Sequence, residues 1–90
     1  MIIEKKRTFL KALQKILIFI GQDKSSAALN FEKELNKKIE NIVSFPYKYR
    51  KSYYFEDESY RDLIYKGYTI IYKIDEQTIK ILDIFKWQDK

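Results

Sequence analysis

The hydrophobic period of this chain changes at its single proline, and that change limits the fold more than any other feature. Before Pro46, apolar residues recur every three or four positions. After it they come in short aromatic and β-branched runs. Amphipathic helices in the first half must then cover one face of a sheet built from the second half.

The helical half divides in two. From about Arg7 the apolar residues Phe9, Leu10, Leu13, Ile16, Leu17 and Ile20 trace one helix face. Gly21 is a natural stop, because glycine accepts the left-handed conformation common past a helix end. A second helix is expected to start near Asp23–Ser26, whose short oxygens can cap free N–H groups. Its stripe is Ala28, Phe31, Leu35, Ile39, Ile42 and Val43, and Pro46 ends it. So short a connection makes an antiparallel helical hairpin. Met1 to Glu4 can add a short strand ahead of it.

In the second half, Tyr53–Phe55, Tyr60–Tyr65, Tyr68–Ile74 and Thr78–Lys86 read as strands separated by turn signals. A two-residue loop at Lys66–Gly67 sets Tyr65 opposite Tyr68, Leu63 opposite Ile70 and Arg61 opposite Tyr72. Asp75–Gln77 closes the next hairpin, and two- and three-residue versions of it put opposite faces together. The expected fold is α+β: a short N-terminal strand and an antiparallel helical hairpin packed on a three- to four-stranded antiparallel sheet. Ninety residues suit a single domain, with residues 1–46 supplying the hairpin and 47–90 the sheet.

The absent residue types narrow the chemistry. With no Cys, disulfides, thiolate metal sites and cysteine nucleophiles are excluded. With no His, the usual zinc ligand and the side chain that titrates near neutrality are missing. An acid–base catalyst would have to be Tyr, Lys, Arg or a perturbed carboxylate. The basic, then apolar, N-terminus resembles a signal peptide, but its unbroken apolar run is only Ile16 to Ile20. An h-region needs about 7–15 residues and a bilayer span about 20. A cytoplasmic protein with no membrane association is expected.

The net charge of +5 is unevenly spread. Lys48, Arg50 and Lys51 lie in the stretch YKYRKSYY, which holds no acid, and Glu56, Asp57 and Glu58 follow directly. Basic residues interleaved with aromatics can grip a phosphate backbone and stack on bases. The plainer alternative is a solvated loop whose tyrosines lie on the core and whose field the acids cancel.

Three stretches taken together resemble a known family: IFIGQDKSSAALNFEKELNKKIENIVSFP, YRDLIYKGYTIIYKID and IKILDIFKWQDK. Their order and spacing, the small pair Ala27–Ala28, Phe45–Pro46, Arg61 and the Tyr68/Tyr72 pattern are similar to the RelE/ParE superfamily, the toxins of bacterial type II toxin–antitoxin modules. The resemblance implies a helical hairpin on a twisted sheet with its working surface in a concave sheet region. It also implies a cognate antitoxin that wraps the toxin in a hetero-oligomer, and neither an organic cofactor, a metal nor a small-molecule substrate. Members known as RelE-like cut mRNA on the ribosome, and ParE-like members poison DNA gyrase.

Ribosome-dependent cleavage needs groups that activate the ribose 2′-hydroxyl and protonate the leaving oxygen, with cations for the developing charge. The basic candidates are Arg61, Lys73, Lys80 and Lys86. After the last strand the chain has no His, Arg or Tyr, so a tyrosine further back, such as Tyr72, would have to substitute. That depletion favours the ParE-like, gyrase-inhibiting reading. An mRNA endonuclease using Arg61, Lys86 and Tyr72 is the alternative, and a catalytically inert antitoxin-binding module is the third. Arg61, Lys86, Trp87, Lys48, Arg50 and Lys51 are the candidates for binding a target or partner. Arg61 could instead simply pair with Glu56, Asp57 or Glu58, a contact of little weight when exposed.

Overall fold

A computed structural model describes residues 1–86. Strand β1 (Ile2–Lys5) leads into helix α1 (Arg7–Gly21), helix α2 (Ser25–Asn41) and strands β2 (Arg50–Lys51), β3 (Tyr60–Tyr65), β4 (Tyr68–Ile74) and β5 (Thr78–Lys86). The sheet order is β1-β5-β4-β3-β2. All neighbours are antiparallel except β1, which runs parallel to β5 with Ile3 opposite Ile79. The α+β class is as expected, but the sheet has five strands and is mixed. β1 takes the free edge of β5, and nothing within Met1–Glu4 indicates its direction.

One face of the sheet carries the core. Leu63, Ile70, Tyr72, Ile79, Ile81 and Ile84 meet Phe9 and Leu13 of α1 and Phe31, Leu35 and Ile39 of α2. Leu10 lies on the same apolar stripe by sequence yet is exposed, because it falls at the stripe's margin. Val43 is likewise exposed. Past Asn41 the backbone tightens into i→i+3 hydrogen bonds, from Ile42 N to Ile39 O through Phe45 N to Ile42 O, before Pro46 turns the chain away.

The helical turn falls where expected, with α1 ending at Gly21 and α2 starting at Ser25, but two local devices expected there are not used. The residue preceding α2 is Lys24, and no side-chain oxygen caps the helix; Ala27 N bonds Lys24 O instead. Gly21 is the last residue of α1 and does not adopt a positive φ. A Cβ at position 21 would lie 3.5 Å from that of Ala28, an ordinary van der Waals contact, so neither a left-handed backbone nor a close approach requires glycine there.

The β3–β4 register is the expected one, with Tyr65 opposite Tyr68, Leu63 opposite Ile70 and Arg61 opposite Tyr72. Lys66 (φ 50°) and Gly67 (φ 82°) form the turn with both central residues left-handed. At the β4–β5 turn Asp75 N bonds Thr78 O at 2.8 Å, so Glu76 and Gln77 form a two-residue loop. The register then shifts between Ile71 and Tyr72, leaving Leu82 as an extra residue in β5. This bulge returns Ile84 to the core face that Ile79 and Ile81 occupy.

Tyr53–Phe55 is not a strand. Side-chain oxygens capture the N–H groups that a ladder would use: Tyr53 N–H donates to Asp62 Oδ2 at 3.1 Å and Tyr54 N–H to Ser52 Oγ at 3.2 Å. Pairing is confined to β2 and one further bond, Ser52 N to Tyr60 O.

Candidate functional site

The alternating stretch after Pro46 folds so that its cations sit on rings. Arg50 lies 3.7 Å above the Tyr53 ring, Lys48 Nζ is 5.6 Å from the Tyr49 ring, and the Arg61 guanidinium lies 4.8 Å from the Tyr47 ring. Tyr47 and Tyr53 remain 58% and 67% exposed, whereas Tyr49 packs against the core. The tyrosines are thus divided between core and surface. A cation over a π face keeps its full charge, unlike one neutralised by a carboxylate.

Arg61 does not pair with the neighbouring acids. Its Nε–H donates to the Glu58 backbone carbonyl at 2.9 Å and its Nη1 to the Tyr49 carbonyl at 3.2 Å. Two loops are therefore tied together by one side chain, and no carboxylate among the described residues lies within ion-pair distance of it. Opposite it on β4, the Tyr72 hydroxyl donates to the Pro46 carbonyl at 2.7 Å, and the Tyr49 ring meets the Tyr72 ring edge-on at 6.5 Å. Burial holds the Tyr72 phenol well above its ordinary pKa, although the nearby Arg61 charge acts the other way. The acids following this stretch are partly used locally: Asp57 Oδ1 accepts from Ser59 N and Oγ at 2.9 Å each, which keeps its carboxyl below the usual range.

Arg50 belongs to the opposite face of the sheet. Its Nη2 is 3.4 Å from Oδ2 of Asp62, whose side chain is fully buried. Asp62 therefore anchors both the β2 arginine and the start of the loop over that face, where Tyr54 meets Phe85 edge-on. Sequence reasoning missed Asp62. An acid in a strand next to a basic loop carries no sign that it will be buried.

Lys86 lies elsewhere. It is opposite Tyr68, with its Nζ 5.5 Å from the Tyr68 ring, while Arg61 is opposite Tyr72. Four residues of strand separate the two positions, roughly 13 Å at about 3.3 Å per residue. The structure thus brings Arg61 and Tyr72 together and leaves Lys86 at the other end of β4. Lys73 and Lys80 are cross-strand neighbours, and both approach Asp75, at 3.8 and 3.1 Å. Lys51 is exposed opposite Arg61. Trp87 lies outside the described residues.

Residues 3–89 match the family model described as the ParE toxin of the type II toxin–antitoxin system parDE. The chain belongs to the ParE toxin family. A solved structure described as the chromosomal ParDE TA system from P. aeruginosa superposes on it with a TM-score of 0.79 at 18% identity, covering 96% of this chain and 95% of that one. YafQ from E.coli strain BL21(DE3) superposes with a TM-score of 0.52, also at 18% identity, over 97% and 93% of the two chains. A comparison with curated proteins finds no sequence match. ParE membership makes this a RelE/ParE superfamily toxin of a toxin–antitoxin module and implies a cognate antitoxin. Among the described residues no helix is long and apolar enough to cross a membrane.

Proposed function

We propose that this ParE-family toxin inhibits DNA gyrase in the cytoplasm by binding it, and that it does not cleave mRNA. The observation that carries this reading is the separation of the groups a nuclease would need together. General acid–base catalysis requires both proton-transfer groups within hydrogen-bond reach of the reacting atoms. Tyr72 is a poor base because its phenol is buried, raised in pKa and already donating to Pro46 O. Lys86 is about 13 Å along the strand from the Arg61 position.

A gyrase inhibitor needs only a binding surface. Arg61, Lys48 and Lys51, with the exposed ring of Tyr47, supply cations and an amphipathic aromatic of the kind that dominates interface energetics, whereas Arg50 is held by Asp62 on the opposite face. Trp87 is assigned to the antitoxin. The groove between α1 and β5, lined by Ala12, Ile16, Phe19, Ile84 and Phe85 and edged by Lys15, suits an acidic amphipathic segment.

Supercoiling and cleaved-DNA assays with purified gyrase, run beside mRNA cleavage on programmed ribosomes, test the proposal. Inhibition with trapped cleaved DNA and intact mRNA is expected. Codon-positioned cuts with gyrase untouched would overturn it. Inactivity in both assays would leave an inert antitoxin-binding module.

A further inference from the structure

We propose that the end of the molecule around the β3–β4 turn is a binding site for the phosphodiester backbone of duplex DNA. This goes beyond gyrase inhibition and lies apart from the Arg61 surface. Three buried rings form its base: Phe31 contacts Tyr65 at 5.2 Å and Tyr68 at 5.4 Å between centroids. Three lysines stand on them. Lys38 Nζ and Lys66 Nζ are 5.7 and 5.6 Å from the same Tyr65 ring, and Lys86 Nζ is 5.5 Å from the Tyr68 ring. Laid end to end, the first two distances put the Lys38 and Lys66 ammoniums within about 11 Å of each other.

None of these three lysines pairs with a carboxylate among the described residues. The acid lining the groove is Glu34, and it lies 3.6 Å from a fourth lysine, Lys37. The charge of the trio is therefore uncompensated among the described residues, which is the condition for displacing counterions from a polyanion.

Lys66 adds a second, independent observation. It occupies the first left-handed position of the turn, at φ 50°, where Asn, Asp or Gly fit with less strain. A strained side chain that carries a charge to the tip of a hairpin points to a use for that charge.

The rings decide the kind of polyanion. Tyr65 and Tyr68 are each only 7% exposed, so neither ring offers a face for a base to stack on, and their lysines contact phosphates. The groove at Lys38 and Lys66, lined otherwise by Glu34, Lys37, Asn41 and Tyr65, offers no exposed apolar side chain to anchor a protein partner. A sequence-independent duplex contact is what remains.

Fluorescence anisotropy of the whole chain with labelled mixed-sequence duplex DNA, titrated over a range of salt, tests this without gyrase. Its outcome is independent of the supercoiling assay. Wild type should bind at low salt, with log K falling linearly in log salt. The variant Lys38→Gln/Lys66→Asn/Lys86→Gln should flatten that slope by about 2.7, at roughly 0.9 per lost phosphate contact. Its melting temperature should hold, since asparagine suits the turn better. A control with the same charge change, Lys5→Gln/Lys24→Gln/Lys80→Gln, should keep the wild-type slope. An unchanged slope in the first variant, no binding by wild type, or a preference for duplex RNA of the same sequence would overturn the proposal. So would loss of antitoxin binding with DNA binding intact, which would make the patch a protein interface.

Discussion

Replacing Tyr72 by phenylalanine isolates one hydroxyl that connects the core to the basic loop. The ring is fully buried, and its hydroxyl donates to the Pro46 carbonyl at 2.7 Å. Tyr72→Phe keeps the ring's packing and removes that donor. A neutral hydrogen bond contributes about 1 ± 0.5 kcal/mol net, and leaving a buried acceptor unsatisfied costs about 1–3 kcal/mol. Pro46 is only half-buried, so water can reach its carbonyl and the lower end applies. We expect a loss of about 1–1.5 kcal/mol, with each kcal/mol lowering Tm by about 4–8 °C in a domain of this size. The pH dependence supplies a second signature. Unfolded Tyr72 ionises near its ordinary value of 10.0, whereas the folded phenol stays neutral to higher pH. Its stabilising effect is therefore complete below about pH 10 and is lost as pH rises towards the folded pKa. The gap between wild type and variant should close above pH 10. Because the bond also sets where the chain leaves Pro46, gyrase inhibition should weaken about tenfold, equivalent to about 1.4 kcal/mol. Calorimetric melting from pH 7 to 11 beside a supercoiling titration makes the measurement. Equal Tm at pH 7, or a constant gap across pH 10, would refute the reasoning.

Three further substitutions probe other parts of the chain. Gly21→Ala should raise stability by about 0.5–1 kcal/mol in urea melts, since position 21 is helical and its Cβ would meet Ala28 at an ordinary 3.5 Å; destabilisation would mean the two helices pack closer than this. Arg61→Ala should both lower Tm and reduce toxicity at least tenfold, while Arg61→Lys, which keeps charge but not the planar fork to the Glu58 and Tyr49 carbonyls, should lower Tm similarly and retain more toxicity. If both variants melt like wild type, the two carbonyl contacts contribute nothing. Asp62→Ala should cost about 1–3 kcal/mol, because the Tyr53 N–H and the one-third-exposed Arg50 lose a fully buried partner; an unchanged stability would show that water replaces the carboxylate.

The parts of the fold that were legible in the sequence are those set by neighbours along the chain. Helical spacing from Arg7 and the alternating runs after Pro46 gave the helices and the three long strands because periodicity is a local property. Lys66–Gly67 gave the β3–β4 register because turn length sets the pairing. The direction of β1, the place of β2 and the bulge at Leu82 depend instead on partners distant in sequence. Tyr53–Phe55 had strand composition, yet Asp62, nine residues beyond Tyr53, takes the N–H that would have joined the ladder. α1 does end at Gly21, as its place in the sequence suggests, but in helical backbone and with room for a Cβ facing Ala28, so the stop does not rest on a left-handed glycine.

For the candidate site, composition indicated which side chains carry charge but not how that charge is held. Lys48, Arg50 and Lys51 were legible as cations among aromatics; that Arg50 would be taken by a buried carboxylate on the opposite face, while Arg61 would bind only carbonyls, was not. This difference has a functional consequence. A cation bound to a carboxylate contributes little field at the surface, whereas one bound to carbonyls or resting on a ring keeps its charge available to a partner. Arg61 with Tyr47, and Lys38, Lys66 and Lys86 with their rings, are of the second kind. They fall at opposite ends of β4, one group beside Tyr72 and the other beside Tyr68. A toxin carrying available charge at both ends can engage a protein with one and the DNA that protein holds with the other. Arg61→Ala should then weaken gyrase inhibition while leaving the salt dependence of DNA binding unchanged, and the three-lysine variant should flatten that salt dependence in an assay without gyrase.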